Sequence, residues 1–207
     1  MKNKGIRYNS SRSRKTDVNS RVVGDDFFDI IRKSAEIADT KINDLNQYYK
    51  EEYNEKSWSE FEATYKAILY RELTESIDYK MITMENPAES RKEGVEGKRY
   101  DIWITKGAVD YVLEVKRLGI STTSGGLRRV NNKRGIYGDL FKLDTLIRNT
   151  LYRDTYGIAI GFFEGDGTMT LDNIGSKIDP KILELLDADP NLKFLICSKG
   201  KCEYVWD

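Results

Sequence analysis

Residues 99–117 read RYDIWITKGAVDYVLEVKR. Two apolar runs meeting at a Lys-Gly pair describe a β-hairpin, and the two-residue period of a strand commits every side chain in it to one of two faces. The runs nevertheless contain Asp101, Glu114 and Lys116. Alternation turns Leu113 and Val115 toward a core and sends Glu114 and Lys116 to the opposite face, roughly 7 Å apart along the strand. Whether Asp101 joins them depends on the turn. A loop of Lys106-Gly107, or of the four residues 106–109, sets Asp101 opposite Val112 or Glu114 on the charged face; a three-residue loop sends it to the other side.

The chain has 207 residues and no histidine. That excludes Ser-His and Cys-His hydrolases, histidine-ligated zinc enzymes, and nucleases with histidine as base or metal ligand. Chemistry has to run on carboxylates, lysine, tyrosine, cysteine or a hard metal ion. Asp101 and Glu114 would supply hard oxygen ligands suited to Mg²⁺, which is held by few carboxylates and keeps several waters. Lys116, two residues beyond Glu114, would orient a water or hold a phosphate. The competing reading is a solvated strand face carrying an ordinary Glu-Lys pair.

The 34 basic and 34 acidic residues cancel, so a nucleic-acid surface would have to come from local segregation of charge. Segregation is visible. Residues 1–22 form a basic arm with Asp17 as the single acid, and residues 118–135 (LGISTTSGGLRRVNNKRG) contain no acid around a flexible TTSGG centre. Arg117, Arg128, Arg129, Lys133 and Arg134 are the expected DNA-phosphate contacts. Cys197 and Cys202 are expected to be a reduced pair. The chain contains no apolar run of membrane-spanning length, and a soluble cytoplasmic protein with no organic cofactor is expected.

Helices are expected over about 25–48, from Ser59 (with Glu62 in a capping box) through FEATYKAILYRELTES, over 138–152, and from Asp179-Pro180 to about Leu186. Strands are expected at 79–84, 100–105, 110–117, 156–163, 192–197 and 202–206. GDG at 165–167 reads as a hairpin turn, and Lys142, one turn from Asp139, as half of a surface ion pair. This order suggests an α/β sandwich on a mixed sheet, with one domain over 23–207 following the arm.

Asp101 in RYDIWI, Glu114 and Lys116 in YVLEVK, the preceding helix FEATYKAILYREL and the following helix GDLFKLDTL together resemble the PD-(D/E)XK nuclease superfamily. The likeness covers about residues 59–163, and Tyr100 stands where that pattern has proline. The resemblance implies a restriction-endonuclease-like fold with a central mixed β-sheet flanked by α-helices. It implies a Mg²⁺-dependent endodeoxyribonuclease, with Mn²⁺ able to substitute, most like a compact type II restriction enzyme acting as a homodimer. It also implies a helix acid completing the metal site: Glu62 first, Glu72 second, with Glu85 near the metal. A junction resolvase or repair nuclease, a nuclease toxin domain, and a non-catalytic DNA-binding protein are the alternatives.

Overall fold

A computed structural model describes residues 18–53, 62–77, 81–87, 99–120, 124–150, 154–164, 174 and 177–205. The hairpin forms as β2 (Arg99–Lys106) and β3 (Val109–Ile120), antiparallel, with Lys106 paired to Val109 and Ile102 to Leu113. The turn is Gly107-Ala108, one residue later than the Lys106-Gly107 loop expected, so the register is the one expected from a 106–109 loop; Gly107 takes its first place at φ +62°. Only glycine adopts that left-handed conformation without steric cost, and it matches the twist of the flanking strands. Extended by one residue, this register sets Asp101 opposite Glu114.

The remaining strands build outward from this pair. β1 (Met81–Pro87) is antiparallel to β2; β4 (Asp154–Glu164) is parallel to β3; β5 (Leu192–Ser198) is parallel to β4; and β6 (Lys201–Tyr204) is antiparallel to β5. The result is a six-stranded mixed sheet in the order β1 to β6. Parallel neighbours need crossovers. α3 (Ser124–Asn131) and α4 (Ile136–Asn149) connect β3 to β4, and α5 (Pro180–Ala188) connects β4 to β5, while α1 (Val18–Tyr53) and α2 (Glu62–Ser76) precede the sheet.

Each sheet face has its own core. Phe27, Ile31, Ala35 and Ile42 of α1 and Tyr65, Leu69 and Leu73 of α2 pack on Ile104, Tyr111, Leu113, Val115 and Ile160. On the other face Val130 of α3, Leu140 and Leu143 of α4 and Ile182 of α5 pack on Val112, Ala159 and Phe194. Over 157–163 β4 is buried on both sides, which accounts for the unbroken apolar run GIAIGFF there. The architecture is α/β, a mixed sheet flanked by helices. Among the described residues no helix is long and apolar enough to cross a membrane.

Four expectations meet a different or partial structure. α1 begins at Val18, inside the segment expected as an arm, and runs five residues past Tyr48; residues 1–17 lie outside the described residues. Ser59 and the GDG at 165–167 also lie outside them. The segment expected as a flexible basic loop instead extends β3 to Ile120 and forms the added helix α3. Leu118 and Val130 are buried in the second core, so tertiary packing overrides the glycine-rich composition.

The cysteines, expected reduced, are joined by a disulfide. Cys197 and Cys202 are direct cross-strand partners, Cα atoms 4.1 Å apart, because the chain between them reverses in a tight turn with Lys199 and Gly200 both at positive φ. Sequence spacing does not reveal that pairing. Reduction should cost about 2 kcal/mol, the loop-closure entropy of so short a ring. Urea midpoints measured with and without reductant check this, and coincident midpoints would contradict it.

That turn is tied to α1 through Asp39, which accepts the Gly200 N–H at 2.6 Å and the Asn43 amide at 3.2 Å. Burial pushes the Asp39 carboxyl up from 3.8 to about 6, against the opposing effect of both hydrogen bonds. The folded state therefore holds the proton more tightly than the unfolded chain. The contribution is fully present below about pH 4 and is lost as pH rises through 6, about 3 kcal/mol in all. Asp39→Asn should flatten the fall in stability between pH 4 and 7 in urea titrations; an unaltered slope would contradict the assignment.

Candidate active site

β2 and β3 pair as far as Ile102 and Leu113 and then separate. At the opening, the Val115 N–H donates to Asp101 Oδ2 at 2.7 Å, so a side-chain carboxylate takes the place of a ladder carbonyl. The β1 side is interrupted at the same level. Ile102 pairs with Met84 and Tyr100 with Asn86, while Glu85 between them adopts φ +52°. A non-glycine residue there carries backbone strain, and the irregular backbone turns the Glu85 carboxylate toward the site.

Charges from five elements gather at this opening. Lys66 of α2 lies 2.6 Å from Asp101 Oδ1, 3.5 Å from Glu85 and 3.7 Å from Glu62. Lys116 of β3 lies 3.4 Å from both Glu62 oxygens and 3.6 Å from Asp139 of α4. Lys142, one turn further along α4, donates to Glu114 and to the Arg99 carbonyl, and its ammonium sits 4.4 Å above the Tyr100 ring. Helical spacing explains the supply. Glu62 and Lys66 share a face of α2 at i, i+4, as do Asp139 and Lys142 on α4 at i, i+3.

Burial governs the electrostatics. Asp101 and Glu114 are 7% and 5% exposed. Desolvation pushes the Glu114 carboxyl far above the ordinary carboxylate range, the Asp101 charge adds to this, and Lys142 opposes it. Burial likewise raises Asp139 to about 6, with Lys116 opposing. Its Oδ2 is buried with an ion-pair partner but without a hydrogen bond. Lys66 and Lys116 are pushed down by burial, but the surrounding carboxylates outweigh that and hold both above the ordinary lysine value.

The structure thus brings Asp101, Glu114, Lys116 and Glu62 to one place. Glu72 lies elsewhere, buried at 2.6 Å from Lys41 of α1. Lys142 is not half of a surface pair: its partner is Glu114, across from α4. Trp103 packs edge-on to Tyr100 against the second core. Lys66 and Asp139 carried only a weak signal, a charge one turn from another charge on a helix.

Among the described residues no three of His, Cys, Asp and Glu gather into a metal-ligand group. Asp101 and Glu114, opposed in the extended register, with the Asp101 charge helping to raise the Glu114 carboxyl, are the carboxylate pair whose chemistry fits a hard divalent ion keeping most of its water. Beside this cluster a cavity of about 600 Å³ is lined by Glu62, Lys116, Arg117, Arg128, Arg129, Asn132, Arg134 and Gly135. Of the five expected DNA-contacting cations, Lys133 alone does not line it. It is exposed.

No family model matches the chain, and no curated protein matches it. A solved structure of SfsA from Pyrococcus furiosus, in complex with Ca²⁺, matches with 16% identity and a TM-score of 0.30, over 69% of this chain and 60% of that one.

The Glu114–Lys142 pair yields a stability prediction. Removing one partner of a buried pair leaves an uncompensated charge. Lys142→Ala should destabilise by about 3 kcal/mol at about pH 9.5, above the raised Glu114 value of about 8, where the carboxylate left behind is ionised. The gap should narrow toward pH 5, where Glu114 accepts a proton and no longer needs a cation. Urea unfolding of both proteins at the two pH values checks this; a gap independent of pH would contradict it.

Proposed function

We propose that this protein is a metal-dependent endodeoxyribonuclease that hydrolyses DNA phosphodiester bonds in the manner of a type II restriction enzyme, acting as a homodimer so that two sites address two strands. One observation carries the reading: a hairpin register that opposes two buried carboxylates, Asp101 and Glu114, where the strands part, with Lys116 beside them. Burying two carboxylates near one another is costly, and a solvated strand face would not bury them.

In this reading Asp101 and Glu114 hold Mg²⁺, or Mn²⁺ in its place, with Glu62 as the helix acid at the cleft. The ion supplies Lewis acidity and a water of lowered pKa. Lys116 extends from the Glu114 face to orient that water or to hold a non-bridging oxygen of the scissile phosphate. Lys66 and Lys142 offset the charge of Asp101 and Glu114, which lets a polyanion approach a face bearing five carboxylates. Arg117, Arg128, Arg129, Lys133 and Arg134 contact phosphates outside the cut and carry no base specificity.

A non-catalytic DNA-binding role is the second reading. It is favoured by the lysine already paired to each carboxylate. Incubation of the purified protein with plasmid and with branched DNA, in Mg²⁺ or EDTA, separates these. Discrete fragments in Mg²⁺ are the expected result; selective nicking at branches points to a resolvase; DNA binding with no cleavage in any metal supports the binder. Ca²⁺ should support binding without efficient turnover, because its looser coordination positions water poorly. Cleavage that survives EDTA would contradict the metal assignment.

A further inference from the structure

The cavity beside the carboxylates differs from them in charge and construction. Among the described residues its lining carries five cations, Lys116, Arg117, Arg128, Arg129 and Arg134, and one acid, Glu62, which already faces Lys66 and Lys116. The guanidinium groups of Arg128 and Arg134 have no ion pair or hydrogen bond among the described residues. Unpaired arginines converging on a concave surface repel one another, and an anion with several acceptor oxygens relieves that repulsion.

The cavity wall is anchored rather than loose. Arg129 donates to the Arg117 carbonyl at 3.3 Å, tying α3 to β3. Asn131 bonds the Lys177 carbonyl and the Asp179 N–H, tying α3 to the segment before α5. The turn from α3 into α4 is held by the Gly135 N–H on the Asn132 carbonyl and the Arg134 N–H on the Asn132 side chain. Gly135 has to be glycine, since a Cβ there would lie 1.6 Å from the Arg129 carbonyl oxygen. That close approach packs the turn against α3, and Arg134 and Arg128 both line the cavity. Gly135 is also the N-cap of α4, where no side chain caps the helix, so the positive end of the helix dipole faces the same space.

From this we infer that the cavity is a second phosphate site, which holds the phosphate next to the scissile one in the same strand. Lys116 is common to both places: it faces Glu62 and Asp139 in the carboxylate cluster and also lines the arginine cavity. A strand whose scissile phosphate lies at Lys116 therefore carries its neighbouring phosphate into the cavity. The inference rests on the nuclease reading for the word scissile, but not for the site itself. Holding a second phosphate fixes the strand's direction across the carboxylates, which a single contact cannot do.

The experiment has two arms. In metal-free buffer, inorganic phosphate is titrated calorimetrically into the full chain and into Arg128→Ala/Arg134→Ala. Arg129 is retained because it braces Arg117, and unchanged urea midpoints show that the variant folds. Phosphate should bind the wild type and lose roughly tenfold or more in affinity in the variant, as expected for lost charged hydrogen bonds. Equal binding to both proteins, or to neither, overturns the site.

In the second arm, oligonucleotides carry one neutral methylphosphonate beside the cut. It should slow cleavage by the wild type roughly tenfold at subsaturating DNA and leave the variant nearly indifferent. A penalty equal in both proteins, or absent from the wild type, overturns the placement next to the scissile phosphate. Failure to cleave any DNA would count against the nuclease reading alone, since the phosphate titration still decides the cavity.

Discussion

The hydrogen bond from the Val115 N–H to Asp101 is the constraint on which the site depends. A strand N–H facing away from its ladder partner has to find another acceptor or remain unsatisfied in a buried place, at a cost of about 1–3 kcal/mol. The Asp101 carboxylate fills that role and so permits β2 and β3 to part without an orphaned donor. The gap then admits Lys66 from α2 on one side and Lys142 from α4 on the other. A sheet that continued its ladder would have closed this space.

Parting the strands creates an electrostatic problem that the helices answer. Asp101, Glu114, Glu62 and Asp139 converge from β2, β3, α2 and α4, and three lysines meet them. Burial still dominates at Glu114 and Asp139, whose carboxyls are held above their ordinary values despite nearby ammonium groups. Such a cluster stores unfavourable energy that a cation would relieve. The neighbouring cavity has the opposite imbalance, with arginines outnumbering acids, and Lys116 joins the two. One face of the protein therefore presents a negative socket next to a positive one, with Lys116 of β3 in both.

Much of this was legible in the hairpin. Alternation placed Glu114 and Lys116 together, and the two-residue turn at Gly107 chose the register that faces Asp101 with Glu114. The helix acid was legible as far as α2, where Glu62 and Glu72 both qualified; packing then sends Glu72 to Lys41 and Glu62 to Lys116. Lys66, Asp139 and Lys142 were hidden, because a charge one turn from another charge looks like a solvated pair until the opposite strand is known. The same limit applies to α3, where Ser124-Gly-Gly reads as linker until Val130 finds its core. It applies to the cysteines as well, whose pairing depends on a turn with two residues at positive φ.

The most direct test of the central claim compares cleavage with binding in Glu114→Gln and Lys116→Ala. Each should lower the cleavage rate by about 2–4 kcal/mol of transition-state stabilisation, roughly thirtyfold to a thousandfold. Both should remain folded. Without metal, Glu114→Gln should bind DNA as well as the wild type or better, since a carboxylate that repels phosphate is gone, and Lys116→Ala should bind somewhat worse. Wild-type cleavage by both variants would show that the opposed carboxylates and their lysine are a structural charge cluster with no part in the chemistry.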